Sequence, residues 1–490
     1  MIRIDAMFSD HMVLQRGKNI PIWGTGNDGE TVTVECRDKQ AKAVVEGGRW
    51  KVLLPSMDAG GPFELTVKSG EAQKIALRDV WFGDVWLAGG QSNMEWSLND
   101  SAEGPAELPK ANFEQLRYYQ VPKITYEDGI EREPSWVVCT PETARAFSAV
   151  AYFFAQRVME EEGVPIGIIG CNWGGTSAAC WMDEQVLERD PALHVYLEEH
   201  RERLVDFSWE KFYEQERAHE KAIQDFFERA ERGLTGEELG DYPWMPPYSP
   251  HSYMRPSGLY HTMLSKAAPY ALRGFLYYQG EADADHKAPL YDRLLEGLIG
   301  NWRRDWEDPE LPFLFVQLPV YENGDPDGEH WPLLREAQWK TARRVRGAWM
   351  TAAWELGEKT DIHPRHKQPV GERLALLALE HVYGRSGVVS SGPVWEDVRF
   401  DRGEAVLRFR HAGSDGLGIR GGGALKGFEL CGPDNLYGPA EAEIRSGDTV
   451  VVRSSQVADP VAVRYGWANY SEANLVGSTG LPALPFRTRE

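Results

Sequence analysis

The first eighty residues carry short strand-like apolar runs: Ile20-Pro-Ile-Trp-Gly24, Thr31-Val-Thr-Val-Glu35, Trp50-Lys-Val-Leu-Leu54 and Phe63-Glu-Leu-Thr-Val67. Turn signals such as Asn27-Asp-Gly29 and Gly60-Gly61 separate them. Regular short strands punctuated in this way predict a β-sandwich. From Asp84 the pattern changes to strands alternating with helices. Asp84-Val-Trp-Leu-Ala88 reads as a buried strand. Ser148 precedes Ala149–Glu162, whose Val150, Phe153, Phe154 and Val158 fall on one helical face, so a capped helix is expected there. Val164–Gly170 is a continuous apolar run, as a parallel strand covered on both faces requires. Further strands are expected at Gly274–Tyr278, Phe313–Leu318 and Ala348–Trp354, with helices near 288–304, 332–345 and 368–383. This alternation predicts a doubly wound parallel sheet.

Two segments break the rhythm. Residues 184–234 are charged and strongly helical, and the Pro-rich loop Tyr242–Pro250 follows, so 184–250 reads as an insertion with a solvated face. After Gly384 the β texture returns at Val389–Val394, Ala405–Phe409, Gly427–Leu430, Val450–Arg453 and Val461–Tyr465, which predicts a second β-sandwich. The expected organisation is therefore an N-terminal β-sandwich over 1–82, an α/β domain over 83–385 carrying the insertion, and a C-terminal β-sandwich over 386–490.

Composition narrows the partners. The 490 residues hold 53 basic and 75 acidic side chains, a formal charge of −22. Such a surface repels nucleic acid and anionic membranes, so neither is expected to bind. Five scattered cysteines without a C-x-x-C pair predict neither a disulfide framework nor a zinc site. No run of about 18 apolar residues occurs, and the amino terminus lacks a basic start followed by an apolar core. A soluble cytoplasmic protein is expected, with self-association left open. The 18 tryptophans are assigned mainly to core.

The chemistry lies in four loops, each just past a strand, where α/β sheets keep their sites. Gly89-Gly90-Gln91-Ser92 offers a serine and its amide; Met94 stands where the G-x-S-x-G elbow has its second glycine. Trp173-Gly174-Gly175-Thr176 offers backbone donors, Tyr278-Gln279-Gly280-Glu281 an amide and a carboxylate, and Asp361-Ile362-His363 an acid two residues before a histidine. Nucleophile, base, orienting acid and oxyanion donors are the parts of acyl transfer. The competing placement for Gln279 and Glu281 is a buried polar network under the sheet.

These loops resemble the blocks of the SGNH hydrolases, and most closely those of the sialate O-acetylesterase family. Lys367-Gln368, Gly371–Ala375, Met12–Arg16 and Leu481–Arg487 also match, so the resemblance spans nearly the whole chain. It implies an SGNH-type α/β fold and a metal-free, cofactor-free serine esterase acting on O-acetylated sugars. Ser92 would be the nucleophile and His363 the base, with the Ser92 amide, Gly174 or Gly175 and the Gln279 side chain as oxyanion donors. The superfamily places its acid three residues before the histidine, whereas Asp361 stands two before, so Asp361 and Glu281 both remain candidates. Gln91, Asn93 and Trp173 are expected to touch substrate, and Arg255 to meet the carboxylate of an acetylated sialic acid; a neutral xylo-oligosaccharide acetate is the alternative substrate. Two other classes compete: a binuclear metallophosphoesterase built on Asp361-x-His363, and a sugar-binding module without catalysis. The first lacks a later G-N-H-E-like run, and the second sits poorly with the presence of both Ser92 and His363.

Overall fold

One strand, β1 (Gln73–Gly90), ties the N-terminal β region to the α/β sheet. The computed structural model describes residues 1–70, 73–125, 134–322, 324–325 and 328–489. The amino-terminal half of β1 pairs antiparallel with Gly60–Ser69, and Val13–Gln15 lies parallel to Trp81–Gly83. Its carboxyl-terminal half runs parallel between β3 (Ile166–Asn172) and β4 (Gly274–Tyr278). The boundary expected at 82/83 therefore falls inside a continuous strand. Gly83 is there for close approach: a Cβ at that position would lie 2.0 Å from the Pro165 carbonyl oxygen.

The sheet continues outward with β2 (Phe113–Gln120) beside β3, and with β5 (Phe313–Gln317) and β6 (Ala348–Ala352) beyond β4. All of these pairings are parallel, and Val137–Cys139 adds one antiparallel edge. The order β2-β3-β1-β4-β5-β6 makes β1 the point where successive connections turn to opposite sides. Open α/β sheets place their ligand crevice outside the carboxyl end of a strand at such a point.

Helices cover both faces. Helix α1 (Ala149–Glu162) is capped by Ser148, whose Oγ accepts from the Ala151 amide, and ends at Gly163 in the left-handed region (φ 64°). Its Phe154 ring meets Trp86 edge-on at 5.0 Å. It packs so closely on α4 (Gln368–Leu377) that a Cβ on Gly371 would lie 2.5 Å from the Val150 oxygen. On the opposite face α2 (Tyr291–Asp305) drives Trp302 against Gly89, where a Cβ would lie 2.6 Å from the indole, and α3 (His330–Arg344) packs beside it. Trp86 and Trp302 are both fully buried. Each such aromatic removes 150–250 Å² from water, worth about 4–6 kcal/mol before the cost of ordering it.

At the carboxyl end, two four-stranded antiparallel sheets share one core of Leu407, Phe409, Val450, Leu430, Val463 and Tyr465. Val320, Ala352 and Trp354 close that core from the α/β side. The strand expected at Val389–Val394 begins only at Val394, because Ser390 spends its amide and hydroxyl on Glu380 rather than on a ladder. The insertion holds helices at Glu184–Arg189, His194–Arg203 and Trp209–Glu231. No helix among the described residues is long and apolar enough to cross a membrane, and all five cysteines are buried and unbridged.

Candidate active site

The backbone at the end of β1 is forced into a turn that only glycine accepts. Gly90 has φ +135°, and a Cβ there would lie 2.1 Å from the Tyr278 oxygen. The Gln91 amide donates to Tyr278 O, and the Trp173 amide donates to Gly90 O, so three strand ends are stitched at this point. Ser92 then opens a single helical turn, Ser92–Glu95, so its amide has no intrahelical acceptor.

Ser92 Oγ and His363 Nε2 stand 2.9 Å apart. The histidine comes from the loop after β6, and three contacts hold it. The Asp361 Oδ1 accepts from the His363 amide at 2.8 Å, Asn93 Nδ2 donates to Ile362 O at 3.0 Å, and the imidazole stacks on Trp96 with centroids 5.1 Å apart. The ring's other nitrogen, Nδ1, lies 3.9 Å from the same Asp361 oxygen. That exceeds a hydrogen bond and the length expected of an orienting acid. The two-residue spacing explains it: the carboxylate closes an Asx turn on the backbone two residues on, which keeps it short of the ring.

Glu281 is placed elsewhere. Its Oε1 accepts from Asn93 Nδ2 at 2.5 Å, and Asn93 Oδ1 accepts from Lys367 Nζ at 2.5 Å. All three side chains are buried, which corrects the expectation that Asn93 touches substrate. This chain of contacts pins the Ser92 turn to the histidine loop and to the end of β4. Burial raises the Glu281 pKa and pushes Lys367 down to about 7. Burial, followed by the Lys367 charge, holds the His363 pKa below its ordinary value, so the imidazole is neutral at pH 7 and able to take a proton. A histidine acting as base works only unprotonated, so with His363 in that role activity should fall as pH drops through that depressed pKa. Replacing Lys367 by methionine removes the opposing charge, so the acidic limb of the kcat/KM profile should move to higher pH. An unmoved limb would mean that Lys367 acts through packing alone.

Gln279 needs a larger correction. Its Nε2 donates to Asp283 Oδ2 at 2.6 Å and is shared with Gln91 Oε1 and Thr176 O, each at 3.2 Å; its Oε1 accepts from the Tyr291 hydroxyl at 2.6 Å. Two N–H groups facing three protein acceptors leave none for an oxyanion. Gln91 is 3% exposed and accepts from Gln279 and the Ala282 amide, so it is not a substrate contact either. The network locks the second loop: Asp283 also accepts from Ser177 Oγ and the Ala178 amide.

The second loop lies directly over the serine. A Cβ on Gly174 would sit 3.2 Å from Ser92 Cβ, whereas Gly175, at φ +74°, faces Trp244 and Tyr253. The Gly174 amide points at Glu95, whose Oε2 accepts from it at 2.7 Å while Oε1 pairs with Lys123. Glu95 was not singled out by the sequence reading; its place three residues after Ser92 on a helical turn was the available signal. Trp173 forms the rim, stacked on Tyr253 at 4.6 Å with Lys123 Nζ 5.1 Å from its ring. Arg255 Nη1 donates to the carbonyls of Thr125 and Ser252. It makes no carboxylate pair among the described residues. No group of three or more His, Cys, Asp or Glu side chains able to hold a metal occurs among the described residues.

Comparison with known proteins follows the same lines. A carbohydrate esterase family model described as sialic acid-specific acetylesterase matches residues 242–380, the span of the third and fourth loops. The sialate O-acetylesterases of Mus musculus and Rattus norvegicus are 26% and 27% identical, aligning over 99% of this chain and 94% of each relative. A crystal structure of a carbohydrate acetylesterase from Xanthomonas citri is 35% identical, with 100% of both chains covered and a TM-score of 0.82.

Proposed function

The chain belongs to the sialate O-acetylesterase family of carbohydrate esterases, and we propose that it removes O-acetyl groups from saccharides through an acetyl-serine intermediate on an SGNH-type sheet. The observation that carries this reading is the 2.9 Å approach of Ser92 Oγ to His363 Nε2 at the carboxyl end of β1. Ser92 attacks the acetyl carbonyl as His363 takes its proton. The Ser92 and Gly174 amides receive the oxyanion once the Glu95 carboxylate yields its place. His363 returns the proton to the departing sugar oxygen, and water then resolves the acetyl-enzyme by the reverse sequence.

Neutral acetylated sugars are the preferred substrate in this reading. The cation at the rim, Lys123, is neutralised by Glu95, and the net charge of −22 offers no attraction to an acid. Arg255, with no carboxylate pair among the described residues, is what favours the second reading, an O-acetylated sialic acid. Acetate release decides between them: kcat/KM on acetylated xylotriose is expected to exceed that on 9-O-acetyl-N-acetylneuraminic acid at least tenfold. The reverse order would establish the sialate reading, and release from neither would overturn the proposal.

A further inference from the structure

A second concavity opens beside the catalytic pair, with a cavity volume of about 230 Å³. One wall is the helix His194–Arg203 of the insertion, another the Pro-rich loop after it, and the third is built from the second and third loops of the site. Two consecutive residues join it to the nucleophile. Gly174 abuts Ser92, and the next residue, Gly175, comes within 3.4 Å of the Trp244 indole when its Cβ is built. A saccharide chain bonded to a sugar seated over Ser92 therefore has this wall within reach.

The lining has the chemistry of a surface for hydroxylated rings. Trp244 stands at the mouth and is 56% exposed, an unusual place for the largest apolar side chain unless something covers it. Lys287 Nζ donates to both Glu199 oxygens at 3.1 Å and to Asp285 Oδ2 at 2.6 Å, the Lys287 amide donates to Asp285 Oδ1 at 2.8 Å, and His286 Nε2 lies 3.2 Å from Glu199 Oε1, so Glu199 Oε2 and both Asp285 oxygens each keep a lone pair for a hydroxyl donor. His200 bonds the Tyr248 hydroxyl at 2.7 Å, and burial holds its pKa below the ordinary value, so it adds no charge at pH 7. Lys287 is paired with Glu199 and Asp285, and the Arg203 guanidinium lies over the Tyr248 ring at 5.0 Å. Asp283 on the floor is committed to Ser177, Ala178 and Gln279. The carboxylates Glu199, Asp283 and Asp285 outnumber the cations Arg203 and Lys287 in the lining, which disfavours an acidic unit there.

From this juxtaposition we infer that the cavity is a glycan subsite, in which the neutral sugar next to the acetylated one stacks on Trp244 and hydrogen-bonds to Glu199 and Asp285. The inference rests on the proposed function and makes the substrate an oligosaccharide rather than a single sugar. The insertion, on this view, supplies a wall of the binding site.

The test compares Trp244→Ala and Trp244→Phe with the wild type on 4-nitrophenyl acetate, acetylated methyl β-xylopyranoside and acetylated xylotriose. Trp244→Ala is expected to lower kcat/KM on the trisaccharide about tenfold, chiefly through KM, as loss of one good aromatic contact would. The single-ring substrate and the nitrophenyl ester should change less than twofold, and Trp244→Phe should restore most of the loss. An equal loss on all three substrates, or no loss on the trisaccharide, overturns the subsite. So does a change in sedimentation without selectivity, which would assign Trp244 to self-association. A wild type that hydrolyses only the nitrophenyl ester would instead overturn the proposed function itself.

Discussion

Ser92→Ala is expected to lower kcat for acetate release from acetylated xylotriose by about 10⁴-fold or more, with the folded protein intact. Ser92 Oγ is the atom placed 2.9 Å from His363 Nε2, and no other hydroxyl has that partner among the described residues. Without it the acetyl group has nothing to be transferred to. What remains is water attacking a carbonyl bound near two amides, and such residual catalysis is small compared with that of the intact set. The side chain is only partly buried and its one described bond is to the histidine, so alanine leaves no unpaired donor in the core and little cavity. Stability should stay close to that of the wild type, read as an unchanged Tm. Even a tenth of wild-type turnover in the variant would remove Ser92 as nucleophile.

That Ser92 and His363 come together was legible in the sequence, because chemistry fixes the residue types of a nucleophile and its base and the fold fixes their place at strand ends. The direction of side chains just beyond those ends was harder to read. Gln279 follows Tyr277 at an interval of two, so both point to the face covered by α2. There Tyr277 meets Trp302 at 5.6 Å, and Tyr291 of the same helix binds Gln279 Oε1. The strand period alone would have placed Gln279 beneath the sheet; reading the motif as a list of donors concealed it. The competing placement, a buried polar network, fits both Gln279 and Glu281.

Other features were hidden by buried polarity. Strand β2, Phe113–Gln120, carries Glu114, Gln115, Arg117 and Gln120, too polar to read as an inner strand. Arg117 is nevertheless 1% exposed, because its guanidinium donates to Asp79 and to the Glu114 carbonyl. Asp79 comes from β1, so the pairing exists only once the two segments meet. Lys39–Val44 escaped notice for the opposite reason: its alternation is between lysine or glutamine and small residues, and half of it faces solvent. Long-range partners, rather than weak local propensity, set the limit in β2. The same holds at Lys367, whose ammonium is buried because Asn93 and Glu281 wait for it.

The histidine's acid is the second position where a large effect is expected. Asp361→Asn should lower kcat by about 10²–10⁴-fold, and Glu281→Gln by less than tenfold. Asparagine keeps an oxygen able to accept from the His363 amide, so the Asx turn and the loop geometry survive while the negative charge is lost. The charge matters most after proton transfer, when the imidazolium must be stabilised and its tautomer held. At 3.9 Å the Nδ1–carboxylate contact is longer than a hydrogen bond, and catalytic contacts of this kind commonly tighten as the reacting complex forms. The open contact, and the partial exposure of Asp361, place the expected loss below that of a triad already bonded in the resting state. Glu281 shares no contact with His363 among the described residues. Its glutamine variant keeps an acceptor for Asn93, removes the charge facing Lys367 and places an amide NH2 where the unpartnered Oε2 lies. Steady-state kcat for the two variants, with near-ultraviolet circular dichroism to show that both are folded, provides the comparison. If Glu281→Gln were the costlier change, the acid would have to act through Asn93, and the orienting role would pass from Asp361 to the buried network.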